Sequence, residues 1–325
     1  MKPLILTGWY TSEFTRLGLA DLVVDFPVRF VWGPLQSPDE LADYLGARKP
    51  AHRPGEHWST FASRWRQSEN RNHSDLGLAD FCQHYETVEL WFDTDPNAQL
   101  QRVWLLDHFR SHPKTLTRLK LRLIDLEMIG LRRFSKWMPP AVDVTERELA
   151  MASAAWQAYR AATPEGCFDL LRQDLSALPL LKPALTELLN ELPSASTGLG
   201  ASEMRMVEMV AEGHAGTNNL FYLGNSRRTR IFSASEHGYL LDGLALGPRP
   251  AVAGLDDELR TLSRENLRDR VAAYRRSRLS LTEFGEAIVA HRVDFSRHNP
   301  IDRWWGGTRL TNDRLWRWNP VLIAP

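Results

Sequence analysis

The chain has 325 residues, about twice a typical domain, so two domains or one domain with a large appendage are expected. Hydrophobic residues at 43% and charged residues at 25% are ordinary globular values, which excludes a collagen-like, coiled-coil or wholly disordered chain. With 40 basic and 40 acidic side chains the formal charge is zero, so contact with nucleic acid or a membrane has to come from a local patch.

The first apolar run, Leu4-Ile5-Leu6, gives way at Thr7-Gly8 and is too short for a secretory core or a membrane span. The only cysteines, Cys82 and Cys167, sit in apolar stretches, which predicts buried, reduced thiols, a cytoplasmic location and no membrane partner. Further strand-like runs fall at residues 28–32, 88–92 and 119–124. Between them, Ser37-Pro38-Asp39-Glu40 has the capping serine, first-turn proline and third-position glutamate of a helix start. Residues 57–85, dense in Trp, Arg and Phe, read as a helical insertion. Strands alternating with helices predict an α/β class, with a mainly parallel, Rossmann-like sheet domain over 1–140.

Met138-Pro139-Pro140 breaks the pattern, and helical periodicity from Thr145 and Glu148 onward predicts a helical bridge over 141–193. After the boundary at Pro193 to Gly198, the remaining 194–325 begins with a helix from Ser202 to Glu212. A later Leu281-Thr282 step into Gly285 resembles the segment that follows the wing in winged-helix regulators, so a winged-helix-like α+β part is expected there. The end of the chain holds Trp304, Trp305, Trp316 and Trp318 around Asn312-Asp313, which predicts a Trp-rich β-hairpin turning at that pair.

The most suggestive chemistry lies where the run 88–92 ends in Asp93-Thr94-Asp95-Pro96-Asn97. Ligands gather at the carboxyl ends of strands in open α/β sheets, and paired carboxylates there can hold Mg²⁺ or Mn²⁺ through oxygen. The same residues also suit a turn and a helix cap, with Asp95 at the cap and Pro96 in the first turn. The strand followed by Asp-x-Asp looks like the metal-binding turn of the Toprim fold, but the glutamate expected after the first strand is replaced by Gly8-Trp9-Tyr10. An EF-hand is excluded by Ala98 and Trp104 at its glycine and glutamate positions. His108 and His112 are four apart but lack the metalloprotease glutamate, and Pro113 ends the segment. There is no P-loop, Cys-x-x-Cys or nucleophile elbow, and Gly198-Leu199-Gly200 lacks the third glycine of a dinucleotide fingerprint. Basic candidates for phosphate contact are Arg227, Arg228 and Arg230, then Arg275, Arg276 and Arg278.

The chain resembles, over nearly its whole length, a bacterial family known as domain of unknown function 1835. The central motif of that family falls on Trp91, Phe92, Asp93, Asp95, Gln99 and Leu100, and its ending on Asp302, Arg303, Trp304, Gly306, Gly307, Trp316, Arg317 and Trp318. Leu178-Pro179-Leu180-Leu181 and Ser196-Thr197-Gly198-Leu199 look like its middle segments. Thr94 stands for the motif's His, Ala98 for its second Asp, and Gly8-Trp9-Tyr10 for a Gly-Asp-Ser turn. The family carries no established activity, so the resemblance implies a layout and candidate ligand positions: Gly8, Asp93, Asp95, Asn97, Gln99, Asp302, Arg303, Trp304, Gly306, Gly307, Trp316 and Trp318. Two functions are expected from the whole. The first is a regulatory module that senses a small, phosphate-bearing ligand and contacts nucleic acid through its C-terminal part. The second is a Mg²⁺- or Mn²⁺-dependent phosphoryl-transfer or nuclease-type enzyme, with Asp93 and Asp95 as ligands and Gln99 or His108 orienting substrate.

Overall fold

In the computed structural model, which describes residues 2–8, 11–62, 73–124, 138–217, 231–256 and 267–325, the chain is divided between two units. The first is assembled from Met1–Phe30, Leu35–Tyr159 and Gln173–Ala184, the second from Val31–Pro34, Arg160–Arg172 and Leu185–Pro325. The chain thus passes between the units several times, and the stretch 141–193 contributes to both.

The first unit is built on β1 (Leu4–Thr7), α1 (Thr11–Arg16), β2 (Leu22–Asp25), α2 (Pro38–Leu45), α3 (Leu78–Cys82), β3 (Val88–Phe92), α4 (Pro96–Phe109), α5 (Pro113–Leu116), β4 (Leu119–Leu123), β5 (Ala141–Asp143) and α6 (Glu146–Arg160). The sheet order is β2-β1-β3-β4-β5; the first four strands are parallel and β5 is antiparallel, so the α/β class is shown directly. Every residue of β1 and β3 is buried, as expected of parallel strands covered on both faces, where apolar runs replace alternation. Inside the sheet, the Glu89 carboxylate is gripped by the Arg122 guanidinium at 2.7 and 2.9 Å and accepts the Trp91 indole N–H at 2.6 Å, so that buried charge is fully matched. The capping box of α2 forms as its residues require: Ser37 Oγ accepts the Glu40 N–H at 3.2 Å and Glu40 Oε2 accepts the Ser37 N–H at 2.7 Å.

Three sequence expectations need correction here. The second strand is Leu22–Asp25, not 28–32. Phe30 is apolar for a different purpose: its ring packs edge-on against Trp104 at 5.3 Å and Trp156 at 4.8 Å, and its N–H is taken by a side chain. The segment 57–85 is not one helical insertion, since its described parts are a 3₁₀ turn at Trp58–Phe61 and the five-residue α3, joined by Trp58 packing on Phe81. The bridge over 141–193 opens with a strand, because 141–143 pairs with the edge of β4, where Lys120 meets Asp143 at 2.8 Å.

The second unit carries α7 (Glu165–Leu170), the end of α8 (Leu181–Asn190), α9 (Ala201–Ala211), α10 (Ala234–Ala245), β6 (Val252–Ala253), α11 (Leu267–Arg276), β7 (Ser280–Leu281), α12 (Glu283–Val289), β8 (Asp302–Trp305), β9 (Thr308–Thr311), β10 (Arg317–Trp318) and β11 (Leu322–Ile323). The Leu281-Thr282 step caps α12: Thr282 Oγ1 accepts the Gly285 N–H at 3.0 Å, and a side chain at Gly285 would run into the Ala251 carbonyl. The Trp-rich hairpin turns at Gly306-Gly307, not at Asn312-Asp313. Gly306 has φ +54°, which a side chain disfavours, and a Cβ on Gly307 would collide with the Arg160 carbonyl oxygen. Asn312-Asp313 makes a second, shorter turn between Thr311 and Arg314, and the Asn312 amide ties it down by accepting the Ile301 N–H and donating to Ser296 and Asn299 carbonyls. No helix among the described residues is long and apolar enough to cross a membrane.

Candidate functional site

The strand order puts the first unit's topological switch between β1 and β3, since the chain runs outward to β2 on one side and to β4 on the other. In such sheets the crevice outside the carboxyl ends of the two central strands is where ligands bind. Here one lip is Thr7-Gly8 and the other is Asp93-Thr94-Asp95, leading into α4. Gly8 leaves room for the Gln101 amide of α4: a Cβ there would meet Gln101 Oε1, which would have to shift.

Each polar residue at the second lip has a definite role. Asp93 Oδ1 accepts the Thr94 N–H at 2.8 Å. Asp95 is the N-cap of α4, accepting the Ala98 N–H at 2.9 Å ahead of Pro96 in the first turn. Asn97 accepts the Phe30 N–H at 2.8 Å and donates to the Val28 carbonyl at 3.1 Å, while Gln101 Nε2 donates to the Phe26 and Val28 carbonyls at 2.6 and 2.7 Å. Gln99 Nε2 donates to the Asp93 carbonyl at the end of β3. These side chains tie α4 to the strand end and to the loop after β2.

What remains open on α4 is more informative. The helix is buried from Pro96 to Leu106 on all sides, and the other amide atoms, Gln99 Oε1 and Gln101 Oε1, have no hydrogen-bond partner among the described residues. Arg102 is 2% exposed and, among the described residues, none of its three guanidinium nitrogens has a partner; burial alone pushes its pKa down to about 10. In the second packed layer, Asp107 accepts a hydrogen bond from Ser153 of α6, and His108 is driven to a pKa of about 4, first by burial and then by His112, so it is neutral at pH 7. Burial, then the Asp25 carboxylate, also holds the Tyr44 hydroxyl well above the usual phenol range.

Among the described residues, Asp93 and Asp95 are not joined by a third acidic group. Among the described residues no cluster of three or more His, Cys, Asp or Glu is placed to hold a metal ion, and one oxygen of Asp95 is taken up in capping α4.

The remaining candidates belong to the second unit, where their side chains fasten its own parts together. Arg303 donates to Glu203 Oε2 of α9 at 2.7 Å; Asp302 is held by Arg309 on the neighbouring strand at 2.9 Å. Trp305 donates to the Leu188 carbonyl at 2.6 Å and Trp318 to Asn190 Oδ1 at 2.8 Å, both at the end of α8. Trp316 and Trp318 are buried, whereas Trp304 is 37% exposed. Arg317 bridges Ser194, Asp294 and Ser296. Gly306 and Gly307 form the hairpin turn already described. Close to Arg303 lies a carboxyl that sequence reasoning missed: Glu191 is buried against the start of α9, accepts the Ser202 N–H and hydroxyl, and is raised to a pKa of about 7, chiefly by burial.

Arg275, Arg276 and Arg278 are exposed at and just beyond the end of α11, and their side chains make no ion pair among the described residues. Arg227, Arg228 and Arg230 lie outside the described residues. Arg102, the most unusual group at the site, was legible only as an arginine inside the apolar run Leu100, Val103, Leu105, Leu106. No protein-family model and no curated protein matches the chain.

Proposed function

We propose that the chain is a ligand-binding regulatory module whose first unit takes a small polar ligand at the carboxyl ends of β1 and β3. The observation that carries this reading is the pair of buried amide oxygens, Gln99 Oε1 and Gln101 Oε1, left without partners on the helix that flanks the switch point. A buried acceptor without a donor costs about 1–3 kcal/mol, and a ligand O–H or N–H removes that cost. The module works in the cytoplasm, in keeping with its two buried free thiols. Its second unit, read as winged-helix-like, contacts nucleic acid through Arg275, Arg276 and Arg278, whose guanidiniums are exposed and free of ion pairs among the described residues. Membership of the domain-of-unknown-function-1835 family is part of the same proposal.

The test is thermal unfolding against a panel of nucleotides, sugar phosphates, polyols and carboxylic acids, repeated on Gln99→Met. A panel member at about 100 times its dissociation constant adds roughly 2.7 kcal/mol to the stability of the wild type. The reading requires a shift that Gln99→Met weakens, and a panel without effect on either protein contradicts it.

A further inference from the structure

We propose that Arg102 binds an oxyanion, a phosphoryl or carboxylate group, on a ligand whose body carries O–H or N–H donors; this rests on reading the β1/β3 crevice as a ligand site. Three observations converge on it. Arg102 is a fully buried guanidinium with all three nitrogens unpartnered among the described residues, whereas the buried charge of β3, Glu89, is matched at both oxygens by Arg122. A buried cation without a counter-charge is the costliest polar state a fold can hold, and a planar oxyanion meets the guanidinium fork in two parallel hydrogen bonds.

The second observation is position. Arg102 follows Gln99 by three residues, which makes them neighbours on one face of α4, and Gln99 is already bonded to the Asp93 carbonyl, the first beyond β3. Long side chains on a helix lean toward its N-terminus, so the guanidinium is carried back toward Gln99 and the strand end rather than away from it. The third is the chemistry of what surrounds it. The acidic lip does not supply the missing anion, because no Arg102 nitrogen reaches an acceptor among the described residues, while Asp93 and Asp95 accept the Thr94 and Ala98 N–H groups. The unpartnered oxygen of Gln99 accepts hydrogen bonds and cannot donate them, so it suits a hydroxyl or amine group on the body of the ligand while Arg102 takes its anionic end.

The probes are inorganic phosphate and acetate at millimolar concentration, titrated by calorimetry and thermal shift against the wild type, Arg102→Met and Arg102→Lys in a buffer free of other oxyanions. One of the two anions is expected to bind the wild type saturably, at least about tenfold more weakly to Arg102→Met, and with intermediate strength to Arg102→Lys, which keeps the charge without the fork. The stronger of the two identifies the group as phosphoryl or carboxylate. Equal binding to the wild type and Arg102→Met overturns the assignment, and if Arg102→Met does not fold, equal binding to the wild type and Arg102→Lys overturns its fork geometry. A neutral polyol that stabilises wild type and variants alike, with neither anion effective, leaves the ligand site standing and overturns the role of Arg102. No response to anything in the panel overturns both readings.

Discussion

Replacing Arg102 by methionine is expected to stabilise the ligand-free protein, the opposite of what removal of a paired buried charge does. The fall of the guanidinium from 12.5 to about 10 comes from burial alone. At about 1.4 kcal/mol for each tenfold change, it corresponds to about 3 kcal/mol of unfavourable transfer. The sign follows from the direction: burial disfavours the charged form, and at pH 7 the group is charged both folded and unfolded, so the whole penalty is present. Methionine retains most of the apolar stem and brings no charge. For a unit of this size each kcal/mol moves the midpoint by roughly 2–4 °C, so Arg102→Met is expected to melt about 6–12 °C above the wild type. Urea unfolding at equilibrium, followed by far-UV circular dichroism in a buffer without oxyanions, gives the same quantity independently. A variant destabilised by about 3–5 kcal/mol would show that Arg102 is one half of a buried ion pair and refute the reasoning.

The other expectations follow from the same geometry. Glu191 is raised from 4.5 to about 7, so its contribution is fully present below pH 4.5 and is lost as pH rises through 7; the second unit should lose about 3 kcal/mol between pH 5 and 8, and Glu191→Gln should flatten that slope in pH-dependent unfolding. A slope unchanged by the substitution would place the titration elsewhere. Millimolar Mg²⁺ or Mn²⁺ should leave the melting temperatures of wild type and Asp93→Asn unmoved, because no third acidic group among the described residues joins Asp93 and Asp95; metal-dependent stabilisation of the wild type alone would restore the enzyme reading. Replacing Arg275, Arg276 and Arg278 with alanine should lower the slope of log affinity against log salt for duplex DNA by up to about 3, and an unaltered slope would remove these residues from the interface.

The legible parts of the fold were those where one physical requirement dominates. β1 and β3 announced themselves because parallel strands buried on both faces need apolar runs, β4 by the alternation of Leu119, Leu121 and Leu123 with Lys120 and Arg122, and the Ser37 and Asp95 caps because orphan N–H groups need an oxygen at a fixed spacing. Residues 28–32 misled because Phe30 is apolar for the sake of aromatic packing on Trp104 and Trp156, a demand that leaves the same trace in sequence as a strand. At the hairpin, two turn signals compete, and Gly306-Gly307 takes the longer one because only glycine fits against the Arg160 carbonyl. The C-terminal tryptophans read in sequence first as packing material and second as ligand-clamping aromatics, and Trp305 and Trp318 spend their indole N–H groups on α8. Arg102 was the least legible of all, since periodicity reports which residues share a face and says nothing of how deeply the helix is buried.

The most direct test of a ligand site at the carboxyl ends of β1 and β3 is hydrogen-exchange mass spectrometry of the whole chain with and without saturating inorganic phosphate. Slowed exchange confined to peptides covering residues 4–8 and 92–102, and absent from Arg102→Met, is the expected result. Protection that appears only in peptides of the second unit, or persists unchanged in Arg102→Met, would contradict it.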